Sequence, residues 1–102
     1  MNKAWNIDYS LDGNLIIEAK EDRKIVDLFG SRNYSLFLAV DSHYLYELKN
    51  SLQTLYPQTN LSNRLALKEL LSNEFFTKHG LLEFKSFLET VQLPFRFYNS
   101  AA

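Results

Sequence analysis

Two pairs of side chains stand at a spacing that chemistry could use. His43 and Glu47 are four residues apart, and so are His79 and Glu83. On a helix that spacing puts both groups on one face, where each pair could supply half of a metal site. No third or fourth ligand accompanies either pair, and the second straddles Gly80. The plainer reading is a surface contact for the first pair and a coincidence of spacing for the second. The chain has no cysteine, which removes thiolate zinc sites, iron–sulfur ligation, disulfides and cysteine nucleophiles together. It also suits a reducing compartment. A serine nucleophile would need an oriented base beside it, and neither histidine has a sequence context that supplies one. No G-x-S-x-G elbow is present. Glu21 and Asp22 adjoin within the mixed run EAKEDRK of residues 18–24, which reads as a solvated surface. The three glycines, at 13, 30 and 80, are too scattered to form a phosphate-cradling loop. Arg32, in Phe29-Gly30-Ser31-Arg32-Asn33, is the one candidate anion contact, and an ordinary loop with a solvated arginine is preferred. The expectation is a non-enzymatic protein with no catalytic residues, metal site or cofactor.

Two binding readings remain. For nucleic acid, Lys20, Arg23, Lys24 and Arg32 fall in one segment, Arg64, Lys68, Lys78 and Lys85 fall later, and Tyr44, Tyr46 and Tyr98 could stack on bases. Against it, 11 basic residues are interleaved with 12 acidic ones, so little net field is left for phosphate contacts. For a protein partner, the favourable sign is aromatic surplus: 15% of the residues are aromatic, with eight Phe and six Tyr, and some of the tyrosines must reach the surface. Tyrosine and arginine anchor interfaces because they bury area while keeping a polar handle.

The elements that position these residues are organised around 34–56. Residues 34–40, YSLFLAV, are nearly all apolar, which suits a strand covered on both faces. Asp41 follows as a candidate helix cap. Leu45, Leu48, Leu52 and Leu55 then form one helical stripe, which Pro57 ends. With that stripe inward, Tyr46, Lys49, Gln53 and Tyr56 share a flank. Earlier in the chain, Trp5, Ile7, Tyr9 and Leu11 alternate with polar residues. A three-residue loop, Asp12-Gly13-Asn14, would pair Leu11 with Leu15, Tyr9 with Ile17 and Ile7 with Ala19, with Gly13 or Asn14 left-handed. Residues 22–29 read either as a short helix capped by Gly30 or as a strand. Beyond Pro57, Asn60 or Ser62 can cap a helix carrying Leu67, Leu70, Leu71 and Phe75, which ends at Lys78, His79 and a left-handed Gly80. Leu81, Phe84, Leu88 and Val91 mark a third helix, ended by Pro94. Phe95 and Phe97 alternate with Arg96 and Tyr98, which suits a short closing strand or an extended tail over the core, and residues 99–102 should fray.

These elements predict one α+β domain over 1–102: a small, largely antiparallel sheet, made of an N-terminal hairpin and a central strand, with three helices on one face. A chain of this size buries roughly 65% of its unfolded surface, enough for its own core. No apolar run reaches the ~20 residues of a membrane span, no signal peptide is visible, and the expected location is the cytoplasm. The expected partner is another protein, with a homodimer and nucleic acid as alternatives. The expected interface residues are Tyr46, Lys49, Gln53, Tyr56, Arg96 and Tyr98.

Overall fold

The computed structural model describes residues 5–20 and 34–101; Arg32 and the helix-or-strand question over 22–29 lie outside them. Among the described residues four strands form one antiparallel sheet in the order β1 (Trp5–Tyr9), β2 (Leu15–Lys20), β3 (Tyr34–Val40) and β4 (Arg96–Ala101). Between β3 and β4 the chain makes a 3-10 turn (Ser42–Tyr44) and three helices. These are α1 (Leu45–Leu55), a composite helix α2 over 64–78, and α3 (Leu81–Thr90). Strand alternation puts Ile7, Ile17, Leu38 and Phe97 in one cross-strand row, and the helices pack on that face. The α+β architecture, the antiparallel sheet and the one-sided helical layer are those the sequence predicts.

The hairpin has a three-residue loop, but it begins one residue earlier than expected. Tyr9 pairs with Leu15 and Ile7 with Ile17, so the apolar face is preserved while every partner shifts by two. The loop is Leu11-Asp12-Gly13, closed by Gly13 N–H to the Ser10 carbonyl at 2.9 Å. Gly13 takes the left-handed position with φ +85°. Placing glycine last in the loop follows a type I turn with its left-handed residue, and it leaves Leu11 fully exposed at the tip instead of paired with Leu15. Asn14 is thereby free to reach out of the hairpin, and its Oδ1 accepts the Ser42 N–H at 2.9 Å. That contact replaces the expected Asp41 cap, for the Asp41 side chain makes no capping bond.

In α1, Leu48 and Leu52 are fully buried and Leu45 is half-buried. Leu55 departs from the predicted stripe and is 54% exposed, because it is the helix's last residue and the described structure leaves it uncovered. Helix α2 is capped by Asn63, one residue past the expected Ser62, its Oδ1 accepting the Ala66 N–H at 2.8 Å. Asn60 instead closes a local turn with the Ser62 N–H. Midway, residues Leu71–Phe75 widen into a π-helical turn, with Phe76 N–H bonded to the Leu71 carbonyl. A uniform α-helix would rotate Phe76 away from Leu67; the wider turn brings Phe75 and Phe76 both into the core. There they meet Phe84 edge-on, with centroids 5.2 and 5.5 Å away.

Gly80 is not a left-handed terminator. Its φ of −102° and ψ of −178° are extended, and it caps the start of α3. The left-handed residue stands at the other end of α3, at Gln92 with φ +61°. Leu93 N–H bonds to the Leu88 carbonyl at 2.9 Å and Gln92 N–H to that of Glu89 at 3.2 Å, a Schellman turn closed by Leu93 against Leu88. β4 runs farther than expected: it pairs with β3 through Ala101 opposite Tyr34, so residues 99–101 are held by the ladder rather than frayed. In β3, Leu36, Leu38 and Val40 are buried against the helices and Ala39 is buried on the other side. Ser35 and Phe37 are only half-buried, so the second face is covered in part.

Tyr9 ties the sheet edge to α2, its hydroxyl donating to the Arg64 carbonyl at 2.9 Å while the Arg64 guanidinium lies over its ring. Burial raises the Tyr9 hydroxyl above the ordinary tyrosine range, with Arg64 opposing. As pH climbs past about 10, the unfolded chain loses this proton first, so the stabilisation is complete below that value and declines through the higher folded one. Tyr9→Phe should lower stability at neutral pH by about 0.5–1.5 kcal/mol through the lost hydrogen bond and make the alkaline decline shallower, read by urea unfolding across the tyrosine range. Gln92→Gly should add about 0.5–1 kcal/mol by relieving the left-handed backbone. Gly13→Ala should cost about 1–2 kcal/mol, since its φ is positive and a Cβ there would lie 2.8 Å from Arg64 Nη2.

Candidate functional site

The sheet face opposite the helices carries two rows. Asn6, Glu18, Phe37 and Tyr98 form one, and Asp8, Ile16, Ala39 and Arg96 the other. Among the described residues no helix covers this face. Phe37 and Tyr98 are direct cross-strand partners, with ring centroids 5.1 Å apart and planes inclined by 11°. Tyr98 remains 45% exposed. Beside it, Arg96 Nη2 lies 3.4 Å from Asp41 Oδ1, a long and exposed pair that contributes little to stability. Arg96 and Tyr98 therefore lie together, as the alternation in 95–98 predicts. Phe37 is not among the site residues the sequence singles out; its position follows once β3 and β4 are paired antiparallel.

The other expected residues flank α1, on the helical side of the sheet. Tyr46, Lys49 and Gln53 line a shallow hollow with Asn60, Leu61 and Ser62, and Tyr46 is 72% exposed. Gln53 is already engaged, its Nε2 donating to the carbonyls of Tyr56 and Thr59 and so holding the turn after α1. Tyr56 is half-buried and packs against the core, and burial, followed by the Glu74 carboxylate, raises its hydroxyl above the ordinary range.

The opposite flank of α1 presents residues outside the expected interface. Tyr44, Glu47, Asn50 and Ser51 face Val91, Gln92, Leu93 and Pro94 across a hollow of about 500 Å³. A smaller hollow among Ala39, Asp41, Tyr44, Pro94, Phe95 and Arg96 shares Tyr44 and Pro94 with it. A band of accessible surface therefore runs from Tyr98 through Arg96 and Asp41 to Tyr44 and Glu47, around the end of the sheet. The sequence signal for it is the spacing of Tyr44, Glu47 and Ser51, which share a helical flank, but the 91–94 wall comes from a distant turn.

The two histidine–glutamate pairs separate. No hydrogen bond or ion pair joins the exposed His43 to Glu47. His79 Nδ1 does lie 3.2 Å from Glu83 Oε2, so that spacing is no coincidence. The carboxylate serves the fold as well: Glu83 Oε1 accepts the Gly80 N–H at 2.8 Å, which secures the start of α3. Among the described residues no three His, Asp or Glu side chains are grouped to hold a metal ion.

Neither a family model, nor a curated protein, nor a solved structure matches this chain. Among the described residues no helix is long and apolar enough to cross a membrane. On α1, Gln53 is held by the fold and Tyr46 is exposed. Gln53→Ala should cost about 1–2 kcal/mol by releasing the 56–59 turn, whereas Tyr46→Ala should stay within about 0.5 kcal/mol of the parent. Thermal and urea unfolding of the two variants would check this contrast.

Proposed function

We propose that the chain is a non-enzymatic protein-binding or regulatory module, an inhibitor, adaptor or small subunit that acts by docking on another protein. The observation that carries this reading is the Phe37–Tyr98 pair, stacked at 5.1 Å on the sheet face that the described helices leave open. An aromatic pair already ordered against its neighbour loses little freedom when a partner covers it, so its buried area goes largely into binding. Arg96 adjoins it, and the exposed Tyr46 adds a second anchor of the same type on α1. Glu18 and Asp8 lie in the two rows of this face and Arg96 is engaged by Asp41, which suits a protein surface better than a phosphate backbone. The cysteine-free composition fits action in a reducing compartment such as the cytoplasm.

The test is capture from native lysate with the tagged chain, with and without nuclease, followed by light scattering of the recovered complex. A stoichiometric protein partner should survive nuclease, bind about tenfold or more weakly to Tyr98→Ala, and bind unchanged to Leu82→Ala, an exposed apolar control on α3. A complex that disappears with nuclease would transfer the function to nucleic acid. A homodimer with no other partner would overturn docking on a second protein.

A further inference from the structure

We infer that the hollow between α1 and the 91–94 turn is a cleft for a lysine or arginine side chain presented by an extended segment of the partner protein. The inference rests on the docking reading above and names what the partner must bring. Its walls are of two kinds. Val91, Leu93 and Pro94 form an apolar side, and the Glu47 carboxylate stands with Tyr44, Asn50 and Ser51 on the other. Glu47 makes no side-chain hydrogen bond or ion pair among the described residues.

Around the two joined hollows the charged residues are Asp41, Glu47 and Arg96. Arg96 faces Asp41 at 3.4 Å, which leaves the Glu47 charge uncompensated among the residues lining them. A guest complementary to these walls has an aliphatic stem and a cationic head. The stem lies along Leu93 and Pro94, and the head reaches Glu47 across the Tyr44 ring. The hollow is open to solvent, so the flanking backbone of the guest runs along its rim, beside the Asn50 and Ser51 side chains.

The cleft is also built before any guest arrives. One wall is α1, anchored by Leu48 and Leu52 in the core, and the other is the Schellman turn with its Leu93–Leu88 bond of 2.9 Å. That turn holds Gln92 at φ +61°, and its exposed side chain lines the rim.

The experiment is an amide chemical-shift titration of the full chain with two capped tripeptides, acetyl-Gly-Arg-Gly-amide and acetyl-Gly-Glu-Gly-amide. The arginine peptide should shift Glu47, Asn50, Ser51 and residues 91–93 saturably, and the glutamate peptide should not. Glu47→Gln should weaken the arginine response by about fivefold or more while leaving the rest of the spectrum in place. Ser51→Arg, which supplies a cation from within the chain, should abolish it. Equal response to both peptides, shifts confined to other surfaces, or an unaffected Glu47→Gln would overturn the cleft. Loss of the cleft alongside Tyr98-dependent capture would leave the docking reading standing. A peptide-responsive cleft with no captured protein would remove the docking reading instead.

Discussion

Ile17 and Leu38 sit side by side at the centre of the sheet, both without access to water, flanked by Ile7 on one side and Phe97 on the other. Burial of this row is the constraint on which the rest of the structure depends. A slip of one residue in any strand would send its apolar set to the open face and its polar set into the core, so every register is held to the same parity. The helices answer that row. Leu48 and Leu52, Leu67 and Leu71, and Phe84 and Leu88 cover it, and the π-helical turn in α2 exists because both Phe75 and Phe76 must join them. At about 25 cal/mol per Å² of apolar surface, the burial of Ile7, Ile17 and Leu38 outweighs any single polar contact in the molecule.

The same parity produces the open sheet face. Residues that alternate with the core row must point the other way, and in β3 and β4 these are Phe37, Ala39, Arg96 and Tyr98. The aromatic pair is thus a by-product of register rather than of any local motif. Its neighbours extend it around the sheet end, since Arg96 reaches Asp41 and Asp41 begins the 3-10 turn that leads to Tyr44 and α1. The open face and the core are two sides of one strand pairing, so a change that shifts β4 alters both.

Several polar contacts that resemble functional features serve the fold. Gln53 holds the turn after α1, Asn14 reaches from the hairpin to the Ser42 N–H, and Glu83 secures both Gly80 and His79. Each satisfies a backbone carbonyl or N–H that a turn or helix start would otherwise leave unpaired. Glu47 has no such duty among the described residues and stays exposed beside the 91–94 turn.

Composition and periodicity alone determined the α+β class, the one-faced sheet, the three helices and the outward placement of Arg96 and Tyr98. Each is a matter of local pattern: a period of two or of three to four residues specifies which side of an element is apolar. Local pattern was weaker at the joints. The loop of the hairpin, the Asn63 cap, the extended Gly80 and the left-handed Gln92 depend on which of several adequate residues meets a backbone group arriving from elsewhere. Only the tertiary structure decided that Phe37 lies against Tyr98, that Leu55 is left out of the core, and that Glu47 faces Leu93. The first and last of these join residues far apart in the chain, and the second depends on where a helix ends against its neighbours. No periodicity within a single element encodes them, because they arise from the packing of elements whose faces the sequence had already specified.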